Sequence, residues 1–260
     1  MDLNRSSADN RAIGEHGSTN ARQPHAVLDL PSRRLKGLKI ERLLDLASRP
    51  QPMRMLEIGT GSGGIAHYFG THPHLRCEVD AVDVHDNRLV TEGYRYQQVQ
   101  GAQLPFDDAS FDVVLTNHVI EHVGDERAQR EHLAEIHRVL HPQGVGYLAV
   151  PNRWMLVEPH YRLAFLSWLP RPMRTPYLRM MRRGRCYDCE PLSLPQLDAL
   201  LADAGFISRH MEIEALRTMF VIEGLRSAGT RFVQRLPDSV LGLCHRVIPT
   251  LICRIERRPA

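Results

Sequence analysis

Residues 55–58 form an apolar run that leads into glycines at 59, 61, 63 and 64, and Ile65-Ala66-His67-Tyr68-Phe69 then reads as the opening turns of a helix. Glycine has no Cβ, so the chain can turn sharply there and a ligand can lie against the backbone. The helix start behind the turn offers unpaired N–H groups. Together these features predict a nucleotide-binding corner. Glu57, two residues before the first glycine, is placed to organise the turn by accepting backbone or ligand amino hydrogens. Asp83 lies near the end of a second apolar run, 77–84, where a carboxylate can accept both hydroxyl hydrogens of a ribose. A plainer role for Asp83 is to cap the helix that follows. His118, Glu121 and His122 come after a β-prone run at 111–117. Histidine titrates near neutrality, so His122 is a candidate proton acceptor; the alternative reads Glu121-His122 as the solvated start of a helix.

The elements that must position these groups are visible in the hydrophobic pattern. Between 32 and 48, Leu35, Leu38, Ile40, Leu43, Leu44 and Leu46 recur at helical spacing, and Pro50-Gln51-Pro52 ends the segment. Strands are expected at 55–58, 77–84, 96–99, 111–117 and 145–150. A helix from about 125 to 140 carries Leu133, Ile136, Val139 and Leu140 on its apolar side, and His141-Pro142-Gln143-Gly144 supplies a stop. A further helix near 194–204 and a strand from Phe206 follow, and 236–260 reads as an amphipathic C-terminal segment interrupted by Pro249. Alternating strands and helices predict an α/β fold whose mainly parallel sheet is covered on both faces. Ligands of such sheets bind beyond the carboxyl ends of the strands, at the switch point. The glycine turn, Asp83 and Asn117 are expected to converge there.

Composition sets wider bounds. With 43% hydrophobic and 24% charged residues, the 260-residue chain can bury a full core. A net charge of +3 is too small to argue for nucleic acid. There is no uninterrupted apolar run of about 18 residues, so no transmembrane helix is expected. Residues 1–25 are polar, read as a disordered leader, and lack the apolar stretch of a secretory signal. Five cysteines without such a signal point to free thiols in a reducing cytoplasm. Cys186-Tyr187-Asp188-Cys189 is a lone C-x-x-C with no second close pair, so no metal is expected.

Gly59-x-Gly61-x-x-Gly64 also fits the dinucleotide fingerprint, with Asp83 at about the offset of its ribose-binding acid. The glycines alone therefore leave a nicotinamide-dependent oxidoreductase open. The surrounding residues narrow the choice. Glu57-x-Gly59-x-Gly61-x-Gly63 resembles the first motif of class I S-adenosylmethionine-dependent methyltransferases. Three segments then resemble that family's later motifs, in its order. They are Leu104-Pro105-Phe106 with Ser110-Phe111-Asp112, Asn117-His118-Val119-Ile120-Glu121-His122-Val123, and Glu135-Ile136-His137-Arg138-Val139-Leu140-His141-Pro142-Gln143-Gly144. The resemblance covers roughly residues 35–152, and a dehydrogenase would share only its first motif.

What the resemblance implies is a Rossmann-like, doubly wound, mainly parallel seven-stranded sheet with helices on both faces, in a single domain over 26–260 with a lid insertion after strand five, at 153–190. It is similar to the type 11 branch acting on small molecules or lipids. The implied cofactor is S-adenosylmethionine, held by Glu57, Gly59, Thr60, Gly61, Gly63, Asp83, Val84, Asn117 and His118. Ala102 and Gln103 would flank the adenine, although Gln100-Gly101-Ala102-Gln103 lacks the acidic residue common in that family. His118 and His122 are the candidate catalytic residues. Methyl transfer is an in-line displacement achieved largely by positioning, with a base needed only if the acceptor must lose a proton. A cofactor-binding scaffold without activity is the alternative from another class.

The acceptor side is expected in 153–190, with Trp154, His160 and Tyr161 as candidate contacts. This stretch also holds Phe165, Trp168, Tyr177 and Tyr187, and a run of arginines (Arg171, Arg174, Arg179, Arg182, Arg183, Arg185) with no acidic residue between 171 and 185. Apolar surface beside cations suits an amphipathic or anionic acceptor and a peripheral contact of 160–185 with the inner face of a membrane. Neither an Asn-Pro-Pro-Tyr-like motif nor a Pro-Cys motif follows the fourth strand. That favours a small-molecule or lipid-like acceptor over nucleic acid. Nothing in the sequence sets an oligomeric state.

Overall fold

The computed structural model describes residues 29–225 and 227–259; the leader expected at 1–25 and the start of the domain at 26 lie outside them. Helix α1 (Leu30–Leu44) begins where Asp29 accepts the Ser32 N–H and Pro31 occupies the first turn, which has no use for a backbone donor. The strands are β1 (Met53–Ile58), β2 (Cys77–Asp83), β3 (Arg95–Gln98), β4 (Phe111–Asn117), β5 (Leu140–Pro151), a short hairpin of β6 (Val157–Glu158) and β7 (Leu163–Ala164), then β8 (Phe206–His210) and β9 (Thr250–Arg257). Seven of them form one sheet in the order β3-β2-β1-β4-β5-β9-β8. The pairings from β3 through to β5 are parallel, while β9 runs antiparallel to both β5 and β8.

Strand alternation divides the core. Met53 and Met55 of β1 meet Ile40, Leu43 and Leu44 of α1 and Ile65, Ala66 and Phe69 of α2 (Gly64–Gly70) on one face. Leu56 and Ile58 meet Leu133, Ile136 and Val139 of α3 (Glu126–Val139) and Leu197, Leu200 and Leu201 of α5 (Leu194–Asp203) on the other. Helix α6 (Glu212–Ile222) joins the first face through Ala215. The result is a Rossmann-like α/β fold with a mainly parallel seven-stranded sheet and helices on both faces. Among the described residues no helix is long and apolar enough to cross a membrane.

Two elements differ from the sequence reading. Strand β5 starts at Leu140, five residues before the expected 145, because Leu140 is fully buried and pairs with Phe111. The expected Pro-Gly stop is instead absorbed as a register shift between Phe111 and Val113. The segment 236–260 is not one amphipathic element. It holds α8 (Asp238–Gly242), a 3-10 turn at Leu243–Arg246, and then β9, an interior strand whose Leu251, Cys253 and Ile255 enter one core and Ile252 the other. The insertion after β5 carries its own small core of Leu163, Leu166 and Leu178 under Tyr161, Tyr177 and Tyr187, with α4 (Arg171–Met180) as its one helix of more than a turn. Helix α7 (Ala228–Arg235) lies between α6 and α8 in the chain and buries no residue.

Candidate active site

The registers explain the site. Ile58 pairs with Val82 on one side and Thr116 on the other. The next residue of each strand, Gly59, Asp83 and Asn117, therefore emerges at the same edge, at the point where strand order reverses. Gly59 and Thr60 donate their N–H groups to Val82 O (2.8 and 3.3 Å), and Gly61 donates to Asp83 Oδ2 (2.8 Å). Gly59 is held at φ +79 with Val119 Cγ2 2.3 Å from where a Cβ would stand. At Gly61 a Cβ would meet nothing within 4 Å, so this residue faces open space. Asp83 Oδ1 accepts the His85 N–H (3.2 Å), which leaves a further lone pair on each oxygen.

A cavity of about 650 Å3 opens on this edge. Gly59, Thr60, Gly61, Asp83, Val84, Asn117 and His118 line it, together with His122 and His160. Nine of the expected residues thus share one space. Glu57 and Gly63 stand behind the turn instead: Glu57 is buried and accepts the Ala66 N–H (3.0 Å), and Gly63 caps α2. Burial pushes the Glu57 carboxyl up to about 8, against the pull of the Ala66 hydrogen bond and the Arg33 charge. Ala102 is half-buried and Gln103 exposed, in the loop before β4, and neither lines the cavity. Trp154 and Tyr161 also lie off its walls. Trp154 packs edge-on against Trp168 (5.5 Å between ring centres), and the Tyr161 hydroxyl donates to Cys186 O and Asp188. Of the arginine run, Arg171 and Arg174 approach Glu190, Arg174 is buried against backbone carbonyls, and none reaches the cavity.

The cavity's histidines are organised by two buried glutamates. His118 takes a left-handed conformation (φ +60), pinned by its N–H on Ala149 O (2.8 Å) and by Nδ1 beside Glu121 Oε1 (3.2 Å). A non-glycine residue held there is strained, and such strain concentrates at functional sites. Burial holds the His118 imidazole below the usual histidine range, only partly offset by Glu121. The shift favours its neutral form. His160 is opposite in sign: burial pulls it down, but Glu158, at 2.7 Å from Nδ1, together with Glu121 and Asp188, holds it above the usual range. The His122 ring lies 6.1 Å from that of His160, with Nδ1 3.8 Å from Cys189 Sγ. His122, Asp188 and Cys189 have ligand atoms within 4.8 Å of one another, a spacing that suits a metal, and so do His210, Glu212 and His245 away from the cavity. Asn117 Oδ1 and Glu121 Oε2 are buried without a hydrogen-bond partner among the described residues.

Sequence reasoning missed a third wall. Arg33, Lys36 and Lys39 of α1 line the cavity, with Met219 and Ile222 of α6, Glu223 just after it, Pro249, and Thr250 at the start of β9. The three cations recur every third residue, a signal present in the sequence but masked by the apolar period of the same helix.

Comparison with known proteins agrees with this geometry. The profile of the methyltransferase domain family matches residues 56–148. A probable S-adenosylmethionine-dependent methyltransferase of Mycobacterium tuberculosis is 30% identical over 167 residues, covering 62% of this chain and 52% of that protein. One from Mycolicibacterium smegmatis is 33% identical over 122 residues, covering 42% of each. The chain thus spans about half the length of the curated relatives it matches. Among solved structures, YcgJ of Bacillus subtilis superposes with a TM-score of 0.52 at 18% identity, covering 86% of this chain and 99% of its own. The 1,6-didemethyltoxoflavin-N1-methyltransferase of Burkholderia thailandensis does so with a TM-score of 0.50 at 18% identity, over 89% and 80%. Those two likenesses speak for the fold, and residues 56–148 carry the match to the methyltransferase domain family.

Proposed function

We propose that this chain holds S-adenosylmethionine in the cavity and transfers its methyl group to a small-molecule or lipid-like acceptor, leaving S-adenosylhomocysteine. The observation that carries this reading is that Gly61, Asp83 and Asn117 line the same cavity as His118, His122 and His160. The residues fit the cofactor. Its volume falls in the range of small-molecule pockets, Gly61 leaves open space where a side chain would stand, and Asp83 keeps lone pairs for a ribose diol. The orphaned Asn117 Oδ1 offers an acceptor for an ammonium, and Arg33 a cation for a carboxylate. The cofactor supplies a methyl carbon activated by its sulfonium. The chain supplies position and, at His118, an imidazole for an acceptor that must shed a proton.

Calorimetry with S-adenosylhomocysteine and NAD(H) tests the reading. Tight binding of the first is expected, weakened by roughly tenfold or more in Asp83→Asn, since hydrogen bonds to a charged carboxylate are each worth about 1.5–3 kcal/mol. NAD binding without S-adenosylhomocysteine binding would instead make the chain an oxidoreductase. Labelled methyl appearing in an extract component, resolved by mass, separates an enzyme from an inactive scaffold.

A further inference from the structure

The cavity has a chemistry that the insertion does not provide. Arg33, Lys36 and Lys39 stand one helical turn apart on α1, on one face of that helix, and all three line the cavity. The acids on the same walls are Asp83, which holds the glycine turn, and Glu223, whose charge acts on Lys39. Arg33 feels Glu57 and Asp29. Lys36, in the middle, has no carboxylate partner among the described residues. Its surroundings are Arg33 and Lys39 on its own helix and His118 at the end of β4. Leu35, Met219 and Ile222 give the same walls an apolar stretch.

We infer that Lys36 and Lys39 form an anion subsite, so that the methyl acceptor is an amphipathic molecule bearing a carboxylate or phosphate group; this rests on the methyltransferase reading above. A half-buried ammonium among like charges is disfavoured and is relieved by a docked anion. Burial and the charges of Lys39 and Arg33 pull Lys36 down to about 7, as that cost requires. The subsite lies beyond Arg33, which stands nearest Glu57 and the turn and is left to the carboxylate of the cofactor.

The test is calorimetry on the full chain, free and saturated with S-adenosylhomocysteine, using octanoate, octyl phosphate and octanol as probes. At least one anion is expected to bind the saturated protein about tenfold more tightly than octanol, and the stronger of the two identifies the group. Lys36→Met and Lys39→Met, which keep the apolar stems, should each weaken the anion roughly fivefold or more while S-adenosylhomocysteine affinity stays within about twofold. Thermal melts check that both variants fold, and Lys36→Gln replaces any that does not. Equal binding of octanol, or anion binding indifferent to the variants, overturns the subsite. So does a tenfold loss of S-adenosylhomocysteine in Lys36→Met, which would give this cation to the cofactor. If the wild type fails to bind S-adenosylhomocysteine at all, the methyltransferase reading fails, while titration of the free protein still decides whether the anion subsite exists.

Discussion

Behind the glycine turn, the Glu57 carboxyl is 4% exposed and faces the start of α2. Its ordinary value of 4.5 is raised to about 8, chiefly by burial. Between those two values the folded chain keeps a proton that the unfolded chain has released. The group's contribution to stability is therefore full below about 4.5 and lost as pH rises through about 8. Glu57→Gln fixes the neutral form. Urea midpoints at acid, neutral and alkaline pH should show the variant gaining on the wild type as pH rises, by on the order of 5 kcal/mol across the window at about 1.36 kcal/mol per unit. A gap that stays constant with pH would mean that burial does not govern this carboxyl. Glu57 and Asp83 were legible in the sequence because their spacing from the glycines fixes where they stand. Lys36 was not, because a helix read for its apolar period hides a second face with a period of three. Glu158 was not either, since its only signal is a burial that tertiary packing creates.

At the scale of elements, β1, β2 and β4 were legible because their apolar runs are bounded by turn residues. Strand β9 was not. Arg254 and Glu256 interrupt an alternation that packs Leu251, Cys253 and Ile255 into the core, so the segment looks amphipathic without a partner. Its place between β5 and β8 is nevertheless central to the sheet. Gly146 of β5 pairs with Ile255, and a Cβ at Gly146 would stand 2.5 Å from Ile255 Cγ1. Contact that close forces the fully buried Ile255 side chain to move. Gly146→Ala should therefore cost about 1–3 kcal/mol by overpacking, and Ile255→Ala about 2–5 kcal/mol by leaving a cavity. Combined, the two should cost clearly less than their sum, because the new methyl occupies part of the space that Ile255 vacates. Chemical denaturation of the three variants measures the coupling. Strict additivity would show that β9 does not press on β5 at this pair.

For the whole molecule, the insertion after β5 was legible as a unit but not in its orientation. Of the stretch 153–190, Pro159 and His160 reach the cavity, while much of its aromatic and cationic content faces outward. Phe165 is 51% exposed and Met180 71%, and Trp154, Met173 and Met181 are exposed near them in the chain. Arg162, Arg179, Arg182, Arg183 and Arg185 are exposed with them. Helix α4 turns Leu178 and Arg174 inward and leaves its Met173, Arg179 and Met180 exposed. Exposed apolar residues in a stretch rich in exposed arginines are what a peripheral contact with an anionic bilayer requires. The prediction drawn from 160–185 is therefore that the protein sediments with phosphatidylglycerol vesicles at low salt, and less so as salt rises and screens the arginines. Loss of apolar anchoring in Phe165→Ser with Met180→Asp should weaken the association by roughly tenfold or more. S-adenosylhomocysteine affinity, set in a cavity that neither residue lines, should not change. Sedimentation with neutral phosphatidylcholine vesicles to the same extent would remove the arginines from the account, and absence of binding at low salt would remove the membrane.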